Sequence, residues 1–332
     1  MSPPMMELRG VSKRFVKSLD AAERIARYLG ANLREEIVHA VDGVSLSIAD
    51  GEVLGVVGES GCGKSTLGRV VAGIHPATEG EVLFRGKRVG EMSPEERRTA
   101  ALKVQMIFQD PMSALNPRMR VAEVIGEAPR FHRVVPAREM DAHLDDLMER
   151  VGLDASYKKR YPHQFSGGQR QRINIARALA VNPDFLVCDE SVAALDVSIQ
   201  AQIINLFMRL KEELGLTYMF ISHDLGVVEH ISDRVVVMYL GRVVEETTTE
   251  ALFERPNHPY TQLLLAEVPR LDQRKRHFAP ITGEIPSPLD PPPGCHFHPR
   301  CPHAFARCRE ERPVLKQVAP GQRAACHLND QP

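Results

Sequence analysis

One stretch of nine residues, GESGCGKST at 58–66, limits what this chain can fold into more than any other feature. It contains the spacing G-x-x-x-x-G-K-S, with Gly58, Gly63, Lys64 and Ser65 at the fixed positions. Glycines let a backbone curl so that its N–H groups face phosphate oxygens, while lysine adds a positive charge and the serine hydroxyl a ligand for Mg²⁺. The stretch lies between a β-branched run and a helical pattern. It therefore predicts a strand, a phosphate-binding loop and a helix.

Other short apolar runs have the length of buried strands. EVLGVVG precedes the loop, and VQMIFQD, FLVCDE, TYMFISH and RVVVMYLG follow it, each bounded by polar or turn residues. Such runs are typical of parallel strands covered on both faces. Helical patterns lie between them. They include SPEERR with its capping residue Ser93, the i, i+3, i+4, i+7 series from Leu144 to Val151, and SIQAQIINLFMRLKEELG, which ends at glycine. The alternation predicts an α/β fold.

Composition excludes several classes of protein. The apolar fraction of 43% argues against disorder, and a net charge of -1 gives no global attraction to nucleic acid, so no nucleic-acid partner is expected. The start, MSPPMMELRG, lacks the apolar core of a secretory peptide, and no apolar run approaches the ~18 residues of a membrane span. We therefore expect a cytosolic chain that reaches a membrane only through partner subunits.

The run FLVCDE predicts the acidic part of the site. Two carboxylates, Asp189 and Glu190, follow an apolar strand. Beside a phosphate loop, Asp189 would hold Mg²⁺ and Glu190 would act as general base on the attacking water. Carboxylates after strands are common, so the pair gains its meaning from the phosphate loop.

A second glycine cradle lies in QFSGGQRQRINIARAL, residues 164–179. Two glycines before a helix again aim backbone N–H groups at an anion, so the chain has two phosphate-binding surfaces. A single site would need only one. We therefore expect a head-to-tail dimer, with ATP between the Lys64 loop of one subunit and the Ser166 loop of the other.

These motifs, in this order, resemble those of the ATP-binding subunits of ABC transporters over about residues 6–250. GESGCGKST resembles Walker A, FLVCDE resembles Walker B, FSGGQ the signature with Phe165 where leucine is commoner, and ALD the D-loop. IFQD resembles the Q-loop and ISHD the switch-histidine segment. The resemblance implies a P-loop ABC ATPase, with a RecA-like core sheet, an antiparallel β-subdomain and a helical signature subdomain at about 112–176.

The resemblance also assigns residues. The implied catalytic residues are Glu190, His223 and Gln109. The implied ATP contacts are Phe15, which would stack on adenine, and Gly58, Glu59, Ser60, Gly61, Cys62, Gly63, Lys64, Ser65 and Thr66. The implied Mg²⁺ ligands are Ser65, Gln109 and Asp189. The residues implied to face the partner's ATP are Ser166, Gly167, Gly168, Gln169 and Asp196.

Three further segments narrow the resemblance to the peptide-importer ATPases, the oligopeptide and dipeptide permeases. They are ALDVSIQAQIINLF, RPNHPYTQLLLAEVP and GEIPSPLDPPPGCHFHPRCPHAFARC. The chain would consist of an ABC nucleotide-binding domain, 1–254, and a C-terminal extension, 255–332, and it is more similar to the second of the paired ATPases. The implied function is ATP hydrolysis that powers peptide import at the cytoplasmic face of the inner membrane.

The implied partners are a second homologous ATPase subunit, two transmembrane permease subunits and an extracytoplasmic solute-binding protein. Similar importers carry nickel, glutathione or sugars, so these solutes stay open. A non-transport ABC ATPase acting on DNA or ribosomes, and an iron–sulfur enzyme that uses ATP, are the rival classes. A single cassette and balanced charge argue against the first, and the lack of a visible substrate pocket argues against the second.

The C-terminal extension gathers Cys295, Cys301, Cys308 and Cys326 with the spacing C-x5-C-x6-C-x17-C. In a reducing compartment, clustered cysteines indicate a metal more than disulfides, and a proline-rich segment without a core of its own can fold around one. The resemblance implies a [4Fe–4S] cluster. Zinc remains open because His296, His298, His303 and His327 lie nearby, as do free thiols.

Two segments are predicted only in outline. Residues 16–38 have a helical pattern with mixed charges and are expected to form a solvated helix. From about residue 256 the prolines indicate a linker or irregular module and not a further α/β layer.

Overall fold

The computed structural model describes residues 3–17, 36–266 and 283–330. A four-stranded antiparallel sheet is formed by β1 (Met6–Lys17), β2 (Glu36–Ile48), β4 (Glu79–Phe84) and β5 (Lys87–Arg88), in the order β2-β1-β4-β5. It is the antiparallel subdomain expected from the sequence.

The larger sheet has eight strands in the order β11-β12-β10-β9-β3-β8-β7-β6. Its strands are β3 (Val53–Val57), β6 (Val104–Ile107), β7 (Phe185–Asp189), β8 (Thr217–Ile221), β9 (Arg234–Tyr239), β10 (Arg242–Thr248), β11 (Lys316–Ala319) and β12 (Gln322–Ala324). The five strands from β9 to β6 are parallel. All five coincide with the apolar runs predicted to be strands, and β3, β7 and β8 are buried along their whole length.

Eleven α-helices lie within the described ranges. They are α1 (Lys64–Val71), α2 (Pro94–Lys103), α3 (Pro111–Ala114), α4 (Val121–Phe131), α5 (Met140–Arg150), α6 (Gly167–Leu179), α7 (Val197–Leu214), α8 (Leu225–Ile231), α9 (Thr249–Glu254), α10 (Pro259–Ala266) and α11 (Ala306–Glu310). The predicted capping box of Ser93 and Glu96 begins α2, and Gly215, with φ 65°, ends α7. None of these helices is both long and apolar enough to cross a bilayer.

Helices α3 to α6 pack together in an apolar cluster that is continuous with one face of the main sheet. Leu144, Leu147, Met148 and Val151 are all at most 3% exposed, as their helical spacing predicts. They pack with residues of α4, α6 and α7 in one apolar cluster. The helix that follows the signature is thereby fixed to the same cluster as α5.

The structure departs from the sequence prediction at 16–38. The ends of this segment are strands, not helix: Val16 pairs with Ile37 and Lys17 with Glu36 across β1 and β2. Residues 18–35 lie outside the described ranges.

The C-terminal extension is also more regular than predicted. Strand β12 pairs with β10, with Glu245 opposite Ala324, and β11 pairs with β12. The extension therefore adds two strands to the edge of the main sheet. Strands of four and three residues are too short to show a period of their own, and they form because β10 offers an unpaired edge.

Candidate active site

Four segments with predicted site residues meet at the carboxyl ends of the parallel strands in the main sheet. The phosphate loop follows β3, Gln109 follows β6, Asp189 ends β7, and His223 follows β8. Because these strands are parallel and adjacent, their carboxyl ends lie side by side, the usual place for a ligand in such sheets. The topology alone brings together residues that are more than 150 positions apart.

The phosphate loop depends on glycine at two points of close approach. Gly63 has φ 105°, and a Cβ there would lie 2.0 Å from the carbonyl oxygen of Ala40. Gly58 has φ 150°, and a Cβ there would lie 2.2 Å from the carbonyl oxygen of Met238. No other residue type fits either position without moving backbone.

Lys64 is buried, and its Nζ donates hydrogen bonds to the carbonyls of Gly58 (2.7 Å) and Glu59 (2.9 Å). The ammonium group thus lies inside the curl of its own loop. Cys62 is buried beside it, and burial raises the pKa of the Cys62 thiol, so this cysteine is a neutral packing residue and not a nucleophile.

Ser65 and Asp189 form the predicted hydroxyl–carboxylate pair. Ser65 Oγ donates to Asp189 Oδ1 at 2.7 Å, at the first turn of α1. Burial raises the pKa of Asp189, while the hydrogen bond from Ser65 acts in the opposite direction. Both side chains offer oxygen ligands of the kind that Mg²⁺ prefers, and the two oxygens lie close enough to bind one ion.

The three candidate catalytic residues, Gln109, Glu190 and His223, lie in contact around the Glu190 carboxylate. Gln109 Nε2 donates to Glu190 Oε2 at 2.7 Å, and His223 Nδ1 lies 3.4 Å from the same oxygen. The backbone of Glu190 has φ 45°, and its N–H donates to the carbonyl of Ile221 at 3.0 Å. A non-glycine residue in this conformation is strained, and such strain is common where a side chain must be aimed.

A cavity of about 310 Å³ lies between the phosphate loop, Gln109 and Glu190, and neither Asp189 nor His223 lines it. Its predicted lining residues are Phe15, Ser60, Gly61, Gly63, Lys64, Ser65, Thr66, Gln109 and Glu190. Val38, Ala40 and Pro288 line it as well and were not predicted. Phe15 is 38% exposed at the mouth, as an aromatic that stacks on a ligand would be.

The signature residues lie elsewhere on the chain. The Ser166 hydroxyl accepts from the N–H of Gln169 at 3.4 Å, and Gln169 Oε1 accepts from the N–H of Ser166 at 3.1 Å, which closes a capping box on α6. Ser166, Gly167 and Asp196 are exposed, and neither the FSGGQ segment nor Asp196 lines the cavity of its own chain.

The C-terminal extension contacts the phosphate loop, which the sequence did not predict. The N–H of Glu59 donates to Tyr260 Oη at 2.8 Å. Arg300 donates to both carboxylate oxygens of Glu59, at 2.7 and 2.9 Å. Tyr260 belongs to the segment NHPY that already indicated the importer group. No pattern distinguishes Arg300 from other arginines of the extension.

The four cysteines of the extension are free thiols that influence one another. Burial, together with the charges of the other three thiols, raises the pKa of Cys295 to about 11. Burial also raises the pKa of Cys301 and of Cys326, while nearby backbone N–H groups act in the opposite direction.

Across the described residues, however, no three His, Cys, Asp or Glu side chains form a group that could hold a metal ion. The donor chemistry thus fits a thiolate-bound metal, whereas the arrangement of the side chains does not support the predicted cluster.

Comparison with protein families gives two matches. Residues 41–193 match the family described as ABC transporter, and residues 244–308 match the oligopeptide/dipeptide transporter C-terminal region. The second match includes most of β10, all of α9 and α10, and three of the four clustered cysteines.

Several curated proteins are similar over most of the chain. The oligopeptide transport ATP-binding protein AppF of Bacillus subtilis is 53% identical, over 88% of this chain and 90% of its own. The dipeptide transport ATP-binding protein DppF of Escherichia coli is 48% identical, over 90% of this chain and 89% of its own.

Solved structures share the fold at lower identity. CbiO1 of Clostridium perfringens, part of the ABC transporter complex cbiONQ, aligns with TM-score 0.62 and 26% identity, over 76% of this chain and 92% of its own. The ATP-binding cassette MJ0796, solved as a post-hydrolysis dimer with ADP and Pi, aligns with TM-score 0.62 and 28% identity, over 74% and 99%.

Proposed function

Because this chain belongs to the ATP-binding subunits of ABC transporters, in the branch with the oligopeptide/dipeptide C-terminal region, we propose that it hydrolyses ATP to power the import of peptides. The observation that carries the proposal is the convergence of Gln109, Glu190 and His223 beside the phosphate loop. The match of the extension and the relatives named for oligopeptide and dipeptide transport support peptides as the solute class.

The phosphate loop holds the triphosphate. Its backbone N–H groups and Lys64 contact the phosphate oxygens, and Lys64 exchanges its bonds to the loop carbonyls for bonds to phosphate. Ser65 and Asp189, joined at 2.7 Å, would hold Mg²⁺ together with the Gln109 amide oxygen. The ion would supply positive charge that neutralises the phosphate oxygens. Phe15 stacks on the adenine.

Glu190 accepts a proton from the water that attacks the γ-phosphate. Gln109 and His223 both contact Glu190 Oε2 and therefore set the position of the carboxylate. His223, which is 55% exposed in the side chain, is free to turn toward the phosphate. The bond to the γ-phosphorus forms as the bond to the β–γ bridging oxygen breaks, and ADP leaves with phosphate.

A second ATPase subunit completes each site. The signature residues do not line the cavity of their own chain. We therefore propose that they contact the ATP of the partner, together with Asp196; they are Ser166, Gly167, Gly168 and Gln169. The dimeric form of the related cassette MJ0796 supports this arrangement. ATP then joins the two subunits, and hydrolysis releases them.

We further propose that the ATPase pair works at the cytoplasmic face of the inner membrane, under two transmembrane permease subunits supplied by an extracytoplasmic solute-binding protein. The importer-type extension supports this assembly. Subunit closure near the Gln109 segment would move the permeases.

The clustered cysteines are proposed to bind a metal, as a [4Fe–4S] cluster or as zinc. Support comes from the spacing of the four cysteines and from the influence that their charges have on one another. Iron, sulfide and zinc analysis of protein purified without oxygen tests this. A metal-free preparation with four reactive thiols would contradict it.

The test of the main proposal is peptide-stimulated ATP hydrolysis by the assembled transporter in lipid vesicles. Glu190→Gln should lower the hydrolysis rate at least about 100-fold, because the general base is lost, while ATP affinity changes less than about threefold. Glu212→Gln, the same change at an exposed site on α7, is the matched control. Native hydrolysis by Glu190→Gln, or hydrolysis without peptide uptake in the wild type, would contradict the proposal.

A further inference from the structure

Arg300 belongs to the C-terminal extension, yet its guanidinium forms an ion pair with a residue of the phosphate loop. Its guanidinium forms a two-pronged bond to the carboxylate of Glu59, at 2.7 and 2.9 Å, and also lies 3.3 Å from Tyr239 Oη. Glu59 is the residue directly after Gly58, at the entrance to the loop. A planar, two-pronged arginine–carboxylate pair fixes orientation as well as distance.

The pair is removed from solvent. The side chain of Arg300 is 4% exposed and that of Glu59 is 20% exposed. Charges this buried depend on each other, because loss of one leaves the other unpaired in a poorly solvated place. Exposed ion pairs of the extension, such as Arg307 with Glu311, lack this dependence.

Arg300 is itself firmly placed. Its N–H donates to the carbonyl of Phe297 at 3.0 Å, and Phe297 is 1% exposed. The Phe297 ring packs edge-on against Tyr239, with centroids 5.2 Å apart, and lies 5.3 Å from that of Tyr260. Tyr260 in turn accepts the N–H of Glu59. Arg300 thus holds the side chain of Glu59, and Tyr260 holds its backbone. Both of these residues pack around Phe297.

Resting on the proposed function, we propose that the extension positions the phosphate loop for ATP through Arg300, and that Arg300 is a positioning residue of the nucleotide site. Without Arg300, the unpaired Glu59 carboxylate would repel the triphosphate. The loop would also lose one of the two side chains of the extension that hold it. Both effects weaken ATP binding. Neither changes Glu190, so the chemical step is preserved.

The experiment uses the full chain in the assembled transporter and compares Arg300→Gln, Glu59→Gln and the double variant. Affinity for a fluorescent ATP analogue, KM for ATP and kcat are measured for each. Arg300→Gln should raise the dissociation constant and KM about tenfold, with kcat changed less than about twofold. The double variant should return to within about threefold of the wild type, because it leaves neither charge unpaired.

Arg307→Gln, which removes the same charge from an exposed site of the extension, should match the wild type in every measurement. If the Arg300→Gln chain does not assemble into the transporter, the Arg300→Lys variant provides the test. It keeps the charge but not the two-pronged geometry, so a raised KM with native kcat is expected, and a native KM overturns the proposal.

Wild-type ATP affinity in Arg300→Gln overturns the inference, as does a double variant that binds ATP as weakly as Arg300→Gln alone. These outcomes differ from failure of the proposed function. A wild-type transporter that does not hydrolyse ATP removes the function itself, whereas one that hydrolyses ATP while Arg300→Gln behaves natively removes only the role of Arg300.

Discussion

At Glu190 the sequence and the tertiary structure contribute different things. An apolar run ending in two carboxylates, taken together with the phosphate loop, predicts Glu190 as the general base. The left-handed backbone of Glu190, with φ 45°, is not predictable from the run, because it results from the bond of its N–H to Ile221 on the neighbouring strand. The local sequence pattern therefore identifies Glu190, whereas the orientation of its side chain depends on a contact between two strands.

His258 is a buried histidine that makes the fold sensitive to acid. It is 1% exposed, and burial lowers its pKa to about 4. Its Nδ1 accepts from the N–H of Tyr260 at 3.1 Å, and the nearby carboxylate of Glu245 is occupied by backbone N–H groups. The neutral ring is therefore the form that the folded protein prefers.

The stability contribution of His258 should be complete above about pH 6.5, where the unfolded chain is also neutral. It should be lost as the pH falls toward 4, because the unfolded state then binds a proton that the folded state refuses. One pKa unit corresponds to about 1.4 kcal/mol, so the loss approaches about 3 kcal/mol. Urea unfolding at pH 7.5, 6 and 5 measures it.

In His258→Gln the pH dependence between 6.5 and 5 should become shallower without vanishing, because burial also lowers the pKa of His296 to about 4. The protein should also be less stable overall. His230→Gln, at an exposed position in α8, provides the matched control and should retain the wild-type slope. An unchanged slope in His258→Gln would assign the acid sensitivity to other groups.

Among the elements, β12 is stabilised by a buried polar contact as well as by its ladder. The carboxylate of Glu245 on β10 is 0% exposed and accepts from Gln322 Nε2 at 2.8 Å and from the N–H groups of Asn257 and His258. A buried carboxylate needs such donors. Gln322 thus links β12 to the neighbouring strand β10 through a side-chain contact.

Gln322→Ala should lower the free energy of unfolding by about 2 kcal/mol, because it removes one donor from a buried charge. Gln317→Ala, at an exposed position of β11, should change it by less than about 0.5 kcal/mol. Denaturant unfolding of both variants measures the difference. Equal stability of the two would mean that the ladder alone holds β12.

The elements also differ in how predictable they are. Strands such as β3, β7 and β8 are buried on both faces, so their sequences are continuous apolar runs that can be recognised without context. In contrast, β11 and β12 are short and form only against β10, and 16–17 and 36–38 form strands because they pair with each other. Pairing partners that lie far apart in sequence leave no local pattern.

For the whole molecule, the proposed pairing of two ATPase subunits can be tested at the Ser166 loop. The Ser166 loop is exposed and absent from the lining of its own cavity. Ser166→Arg should therefore leave the ATP affinity of the isolated chain unchanged and lower hydrolysis by the assembled transporter at least about tenfold, since it obstructs the partner's site.

Thr99→Arg, which adds the same side chain at an exposed position of α2, should alter neither measurement. Loss of ATP affinity in the isolated Ser166→Arg chain would instead mean that the signature contacts nucleotide within one subunit.

The order of motifs was sufficient to predict most of the cavity lining, because each motif ends a strand of one parallel sheet. Tyr260, Pro288 and Arg300 were missed, since they reach the cavity or its loop from a segment more than 190 residues later in the chain. Contacts between residues so far apart in the sequence depend on how the extension packs, and the spacing of residues within a motif does not indicate that packing.

The pairing of β12 with β10 has a consequence for synthesis. Gln322 is made 77 residues after Glu245, whose carboxylate it satisfies. At about 5–20 residues per second, this leaves an interval of roughly 4–15 seconds in which β10 exists with an open edge and an incompletely bonded acid. The nascent chain is therefore most exposed to mispairing while the extension is being translated, after every catalytic motif has already been made.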